Sequence, residues 1–260
     1  MYSRRFIARA ALAASYALTP MPAQRAEAAR VTPMVVEIRP SGTGSVARIE
    51  VTNDEDREIP FELSMHRATI SETGEVVLEP ADDRFVIFPP QIVLGPRSQQ
   101  VFRVQFLPDP DLDTSEIYYA SVSQLPVALE PTESRIQVLM RFNVLVNVVP
   151  PGTTPQPVID WIRLAERAPP APEEGETQPP PQTGIEVRIS NRGNRYFGAG
   201  QTSWTISGTD ASGASFTETF SDRRVRETTG LGIVAPGQAR IFFIPLDRQI
   251  NADSVQIRFN

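Results

Sequence analysis

The chain has 260 residues, enough for one large or two ordinary domains, each able to bury a core of its own. Its formal charge is −6 with no clustering of basic residues, which argues against nucleic acid or an anionic membrane surface as the main target. Cysteine is absent and histidine occurs once, so there can be no disulfide staple, no thiol nucleophile and no Cys/His zinc site.

The N-terminus reads as an export signal. Arg4, Arg5 and Arg9 form a positive region, Ala10 to Leu18 is a short apolar run, and Ala26-Glu27-Ala28 offers a small-x-small cleavage site. Pro20 and Pro22 bound the run and argue against a core helix there. Arg4-Arg5 also raises a twin-arginine reading, but the residues that follow match that motif poorly. The signal is expected to occupy 1–29, with the mature chain outside the cytoplasm. No later apolar run is long enough to span a bilayer, so no membrane insertion is expected.

From residue 30 the apolar period is two. Runs recur at Met34–Ile38, Ala47–Val51, Phe61–Met65, Glu75–Leu78, Arg84–Phe88, Gln100–Phe106, Glu116–Val122 and Arg135–Val148, broken by turn residues such as Ser41-Gly42-Thr43-Gly44 and Asn53-Asp54. This spacing predicts an immunoglobulin-like sandwich over 30–149, with Phe85 to Phe106 as a hairpin edge. Val149-Pro150-Pro151-Gly152-Thr153-Thr154-Pro155 then predicts a linker over 150–157, because its prolines cannot donate to a ladder. Alternation resumes at Val158–Leu164, Gly184–Ser190, Thr202–Gly208, Ser215–Phe220, Gly232–Val234, Ala239–Pro245 and Ser254–Phe259, a second all-β unit over 158–260. Ala168–Thr183, APPAPEEGETQPPPQT, is too polar and proline-rich to join a core and reads as a mobile loop extending a hairpin. No helix is predicted. The fold class is therefore all-β, two immunoglobulin-like β-sandwich domains in tandem.

The segment RIQVLMRFNVLVNV, Arg135 to Val148, carries more apolar side chains than a small sandwich easily buries. It is either a central core strand or a strand that offers one face to a partner, and alternation alone leaves both open. The interleaved Arg135, Gln137, Arg141 and Asn143 show that its other face is not dry throughout.

Longer patterns carry a family resemblance. Ile49-Glu50-Val51-Thr52-Asn53, Phe88-Pro89-Pro90, Leu94-Gly95-Pro96 with Gln100-Val101-Phe102-Arg103-Val104, Tyr118-Tyr119 and Leu125-Pro126 together resemble the first domain of periplasmic pilus assembly chaperones of the chaperone–usher pathway. Arg188-Ile189-Ser190-Asn191-Arg192-Gly193, Leu231-Gly232 and Val234-Ala235-Pro236-Gly237-Gln238 resemble their second domain, in the same order, as in a divergent member. The resemblance implies a chaperone that needs no cofactor, binds pilus subunits by donating a strand to their incomplete sandwich, and passes them to an outer-membrane usher. It implies Ile136, Val138 and Met140 as the side chains entering the subunit, with Phe142 extending that face or turning into the chaperone's own core. It leaves open whether free chaperone caps itself as a homodimer through the same strand.

One departure from the family stands out. Relatives hold the subunit's terminal carboxylate with an arginine on the first strand and a lysine late on the donor strand. Here the matching positions fall near Glu37 and at Leu145, which leaves Arg39 and Arg141 as the nearest substitute anchors.

Catalytic and metal readings are weak. His66 lies in Leu63-Ser64-Met65-His66-Arg67, a strand context. Asp109, Asp111 and Asp113 begin like a calcium loop, but Thr114 replaces the required glycine and Ala120 the closing glutamate. The expectation is a non-enzyme without a metal. The competing function is an exported tandem sandwich that serves as an adhesion or structural module and binds through its loops, such as 168–183.

Overall fold

Alternating apolar residues bury one face of each strand, and in this chain they do so around two separate cores. The structure, a computed structural model, describes residues 29–126, 138–168 and 180–260. All but the last residue of the expected signal over 1–29 and most of the proline-rich stretch lie outside the described residues, as does Ile136.

In chain order the first half contains β1 (Arg30–Thr32), β2 (Val35–Ile38), β3 (Val46–Thr52), β4 (Ile59–Ile70), β5 (Val76–Pro80), β6 (Phe85–Phe88), β7 (Gln91–Leu94), β8 (Gln99–Phe106), β9 (Glu116–Gln124) and β10 (Arg141–Val148). They form a four-stranded sheet, β1-β3-β8-β6, facing a larger one ordered β2-β10-β9-β4-β5, with β7 also paired to β4. Ala47, Ile49 and Val51 of β3, Ile59 to Met65 of β4 in alternation, and Phe102, Val104 and Phe106 of β8 interleave between the sheets. Phe85 meets Phe106 and Tyr118 edge to face at 5.2 and 4.9 Å between centroids.

Prolines turn the corners of this sandwich. The chain passes from one sheet to the other between β1 and β2 at Pro33, and again between β6 and β7 at Pro89-Pro90, where a missing N–H ends the ladder. The expected hairpin edge is therefore corrected: β6 pairs with β8, while β7 between them crosses to β4 in the opposite sheet.

The second half contains β11 (Pro157–Arg167), β12 (Gln182–Asn191), β13 (Phe197–Gly198), β14 (Trp204–Thr209), β15 (Ser215–Phe220), β16 (Ile233–Val234), β17 (Ala239–Pro245) and β18 (Gln256–Phe259). Sheets β11-β12-β17 and β15-β14-β18, with the short β13-β16 pair, enclose a core in which Trp204 meets Phe242 and Phe259 edge on. Trp204 donates its indole N–H to the Ala199 carbonyl at 3.0 Å. β11 and β12 pair as far as Arg167 opposite Gln182, so Gln182 and Thr183, expected in the loop, belong to a strand instead.

One helix, α1 (Asp222–Thr229), corrects the helix-free expectation. Ser221 caps it by accepting from the Arg224 amide, Gly230 ends it at φ +63°, and only Val225 is buried. Among the described residues no helix is long and apolar enough to cross a membrane.

Each half is tied by one buried asparagine at a strand end. Asn53 donates to the carbonyls of Arg57 (2.7 Å) and Gly95 (2.9 Å) and accepts from the Glu55 amide (2.9 Å). Asn191 donates to Arg195 (2.7 Å) and Val234 (3.1 Å) and accepts from the amides of Gln156 (3.0 Å) and Gly193 (3.1 Å). Gly193 packs so closely that a Cβ would sit 2.2 Å from the Thr154 carbonyl oxygen. Asn53→Ala should leave part-buried loop carbonyls unpaired and cost about 2 kcal/mol in urea unfolding with an unchanged slope. A loss below about 1 kcal/mol would show that the loop pairs its groups without Asn53.

Candidate functional site

β10 occupies the position where the two halves meet, and its two faces have different tasks. Val144, Val146 and Val148 point into the first core. On the opposite face Leu145, and Val149 just beyond the strand, join Ile70, Ile117, Tyr196 and Ile233 in a third apolar cluster shared by both halves. The sequence pattern for Val144 to Val148 thus reports core packing, doubled by the junction.

The backbone of β10 is less complete. On one side it pairs with β9 along its whole length, Arg141 with Ser123 through to Val148 with Glu116. On the other, the parallel partner β2 reaches only Leu145 to Val148. The Leu145 amide donates to Met34 O at 3.0 Å and the Val149 amide to Ile38 O at 2.7 Å, so odd-numbered residues present their backbone groups on this side. Among the described residues, the main-chain groups of Arg141 and Asn143 therefore lie on an open sheet edge.

Next to this edge sit the surplus apolar residues. The strand expected from Arg135 is described from Arg141, and Val138 to Met140 lie outside it. Val138 is 73% exposed and Leu139 46%. Met140 and Phe142 are half-buried against the first core. The structure therefore separates the four predicted residues: Val138 is free, Met140 and Phe142 already have core neighbours, and Ile136 is not described.

The candidate anchors lie far apart. Arg141, at the start of β10, donates Nε to Ser123 Oγ at 3.0 Å. Arg39 follows the end of β2, opposite the far end of β10, with its side chain packed along Gly44. About eight residues of extended chain, roughly 25 Å, separate those levels, so one carboxylate cannot bridge both arginines. The two positions where cations were expected are committed elsewhere. Leu145 is buried in the junction, and the Glu37 carboxylate accepts from Arg195 Nη2 (2.7 Å) and the Tyr196 hydroxyl (3.1 Å). Burial, reinforced by the Glu37 charge, pushes the Tyr196 hydroxyl above the usual tyrosine range and keeps it a donor.

Further polar contacts fix the junction. Ser115 Oγ accepts from the Tyr196 amide at 2.7 Å, and Glu72, in the turn between β4 and β5, accepts from Arg188. Arg188 also pairs with Asp160, and its hydrogen bond holds the Glu72 carboxyl below the ordinary value. None of Glu72, Arg188 or Tyr196 stood out in the sequence as a junction residue, because a pair such as Glu72 and Arg188 meets only through the fold.

The remaining sequence candidates have ordinary partners. His66 Nδ1 lies 3.4 Å from Ser121 Oγ, which donates to Asn143 Oδ1 at 2.8 Å. Asp109 accepts from Arg84 at 2.9 Å. Among the described residues no three acidic or histidine side chains gather in a way that could hold a metal.

Asn147 is an oddity on this strand. It is fully buried, yet neither side-chain amide atom has a hydrogen-bond partner among the described residues. Leucine has the same branching without the polar atoms, so Asn147→Leu should stabilise the protein by about 1 kcal/mol and raise its thermal midpoint by about 2–4 °C. A lowered midpoint would mean that the Asn147 amide is satisfied in solution.

No family model matches this chain, and no curated protein matches it. Solved structures do. The crystal structure of the class 5 fimbriae chaperone CfaA is 13% identical over 90% of this chain and 99% of that one, with a TM-score of 0.51. The SafB chaperone, solved in complex with the SafA pilin of Salmonella enterica, is 16% identical, with 86% of each chain covered and a TM-score of 0.49. The chaperone DraB of E. coli is 14% identical over 90% of this chain and 96% of that one, with a TM-score of 0.47. The chain thus has an all-β fold, built as two immunoglobulin-like sandwiches in tandem, like that of the fimbrial chaperone CfaA.

Proposed function

We propose that this protein is a periplasmic pilus assembly chaperone that binds subunits by lending them the edge and apolar residues at the start of β10, then delivers them to an outer-membrane usher. The observation that carries the reading is the open edge at Arg141 and Asn143 beside the exposed Val138 and Leu139. A bare edge flanked by apolar side chains is an aggregation hazard unless something covers it. A subunit lacking one strand would cover it by strand addition, with main-chain hydrogen bonds giving affinity and alternate side chains giving register.

The period of two supports the choice of side chains. Phe142 and Val144 share the face that fills the first core, where Met140 is half-buried, and by the period of the sequence alone Val138 and Ile136 belong to the same alternating set. Burying each in a subunit groove is worth about 1.5–3 kcal/mol before ordering costs. Neither ATP nor a cofactor is needed, since strand exchange provides the free energy. The fold shared with CfaA, a fimbriae chaperone, supports the same reading. With Glu37 and Leu145 where cations would clamp a terminal carboxylate, the strand rather than such a clamp carries the binding. Two copies could also cover each other's edges as a self-capping homodimer.

The proposal includes the organisation of the chain: an export signal over 1–29, folding units 30–149 and 158–260, and a linker 150–157, with Pro157 already the first residue of β11 and Ala29 already part of the first core. Ala29 is 6% exposed and belongs to the first core, so processing after Ala28 would retain it.

The test is affinity capture from periplasmic extract with bound proteins identified by mass spectrometry. Val138→Asp is the clean variant, because Met140→Asp would also disturb the first core. Wild type should recover a small secreted all-β subunit, and Val138→Asp, with an unchanged thermal transition, should recover at least about tenfold less, since a carboxylate would enter an apolar groove. Equal recovery by both would replace this reading with an adhesion or structural module that binds through its loops.

A further inference from the structure

A second site lies in the junction, away from the open edge of β10 and using none of its residues. Three arginines of the second half reach this junction. Arg188 is paired with Glu72 and Asp160, and Arg195 with Glu37. Arg240, on β17, is half-buried and has no carboxylate partner among the described residues. Its Nη1 donates to the Ile233 carbonyl at 3.2 Å, and its guanidinium lies 5.1 Å from the centre of the Phe242 ring. Its Nε is buried without an acceptor. A guanidinium that has lost part of its hydration and has no counter-charge gains from an anion that meets it.

Space for an anion is present. Arg240 lines a cavity of about 240 Å³ with Ile70, Gly74, Tyr119, Leu231 and Gly232. Gly74 turns the β4–β5 loop at φ +91°, and a Cβ there would lie 2.4 Å from Arg240 Nη2. A side chain at residue 74 would press on the guanidinium, so glycine is what lets the β4–β5 turn pack against one side of it while its remaining sides line the cavity. Tyr119 supplies a second donor. Burial pushes its hydroxyl above the usual tyrosine range while the Arg240 charge acts in the opposite direction, so the phenol stays protonated. Burial likewise draws Arg240 below the ordinary arginine value, the response of a cation that lacks its counter-ion.

We propose that this cavity binds a carboxylate, held by the Arg240 guanidinium and the Tyr119 hydroxyl. A planar guanidinium suits a carboxylate, and the apolar lining from Ile70 and Leu231 suits a ligand with a short apolar body. The carboxylate can come from a small organic acid or from the free terminus of a peptide. The site closes on residues of both halves, so its occupancy is coupled to the angle between them.

Side-chain NMR of the isotope-labelled mature protein tests the site directly on wild type. Acetate, N-acetylglycine and N-acetylglycinamide are titrated at constant ionic strength against chloride while the Nε–Hε resonances of Arg240 and Arg188 are followed. Acetate and N-acetylglycine should each move the Arg240 resonance to saturation and leave the paired Arg188 unmoved, and N-acetylglycinamide should do nothing. Tighter binding of N-acetylglycine than of acetate supports a chain terminus as occupant, and equal binding supports a free small acid. Tyr119→Phe should weaken acetate severalfold without loss of folding. No saturable shift at Arg240, or an equal shift with N-acetylglycinamide, overturns the proposal. Because no captured subunit enters the measurement, its failure leaves the β10 reading intact.

Discussion

Strand β10 has to satisfy three partners with a period of two. Its even-numbered side chains fill the first core, its odd-numbered ones from Leu145 onward pack the junction, and its backbone pairs fully with β9 but only partly with β2. No shift of register could preserve this arrangement, since a one-residue slip would send Val144, Val146 and Val148 toward the junction and Leu145 into the core. The open edge at Arg141 and Asn143 is therefore held in place by burial on both faces further along the same strand. A strand-lending site needs such a rigid presentation, because a mobile strand would pay its ordering cost at each binding event.

The junction extends that rigidity to the second half. It combines a shared apolar cluster with charged contacts, Glu37 to Arg195 and Glu72 to Arg188, at its rim. These exposed pairs add little energy individually and serve mainly to fix orientation. The same contacts occupy the two positions where the sequence led us to expect cations. Glu37 holds Arg195 and Tyr196, and Leu145 fills the shared cluster.

Strands whose alternation and flanking turns agree were legible in the sequence. Ser215–Phe220 and Ala239–Pro245 have the bounds the pattern predicts. β4 runs further than its apolar core, from Ile59 to Ile70, because β5 and β7 both pair with its ends, a tertiary effect that extends a polar sequence. α1 was missed because Val225 is its single buried residue, so no apolar period exists to read. Only Ser221 and Gly230, the residues that begin and end it, offered a local signal. At the candidate site the apolar surplus was visible, but its partition was not: nothing local shows that Met140 and Phe142 lean on the first core while Val138 stands free. Arg240 gave no sign at all, since its isolation from carboxylates among the described residues depends on segments that meet only in the fold.

The central claim is that the edge at Arg141 and Asn143 is where a client strand binds. Amide hydrogen exchange on free protein and on client-bound complex tests it most directly. The account predicts fast exchange at the Arg141 and Asn143 amides in the free protein and strong protection in the complex, with Leu145 and Asn147, already covered by β2, little changed. Unchanged exchange at Arg141 and Asn143, with new protection confined to loops of the second half, would contradict it.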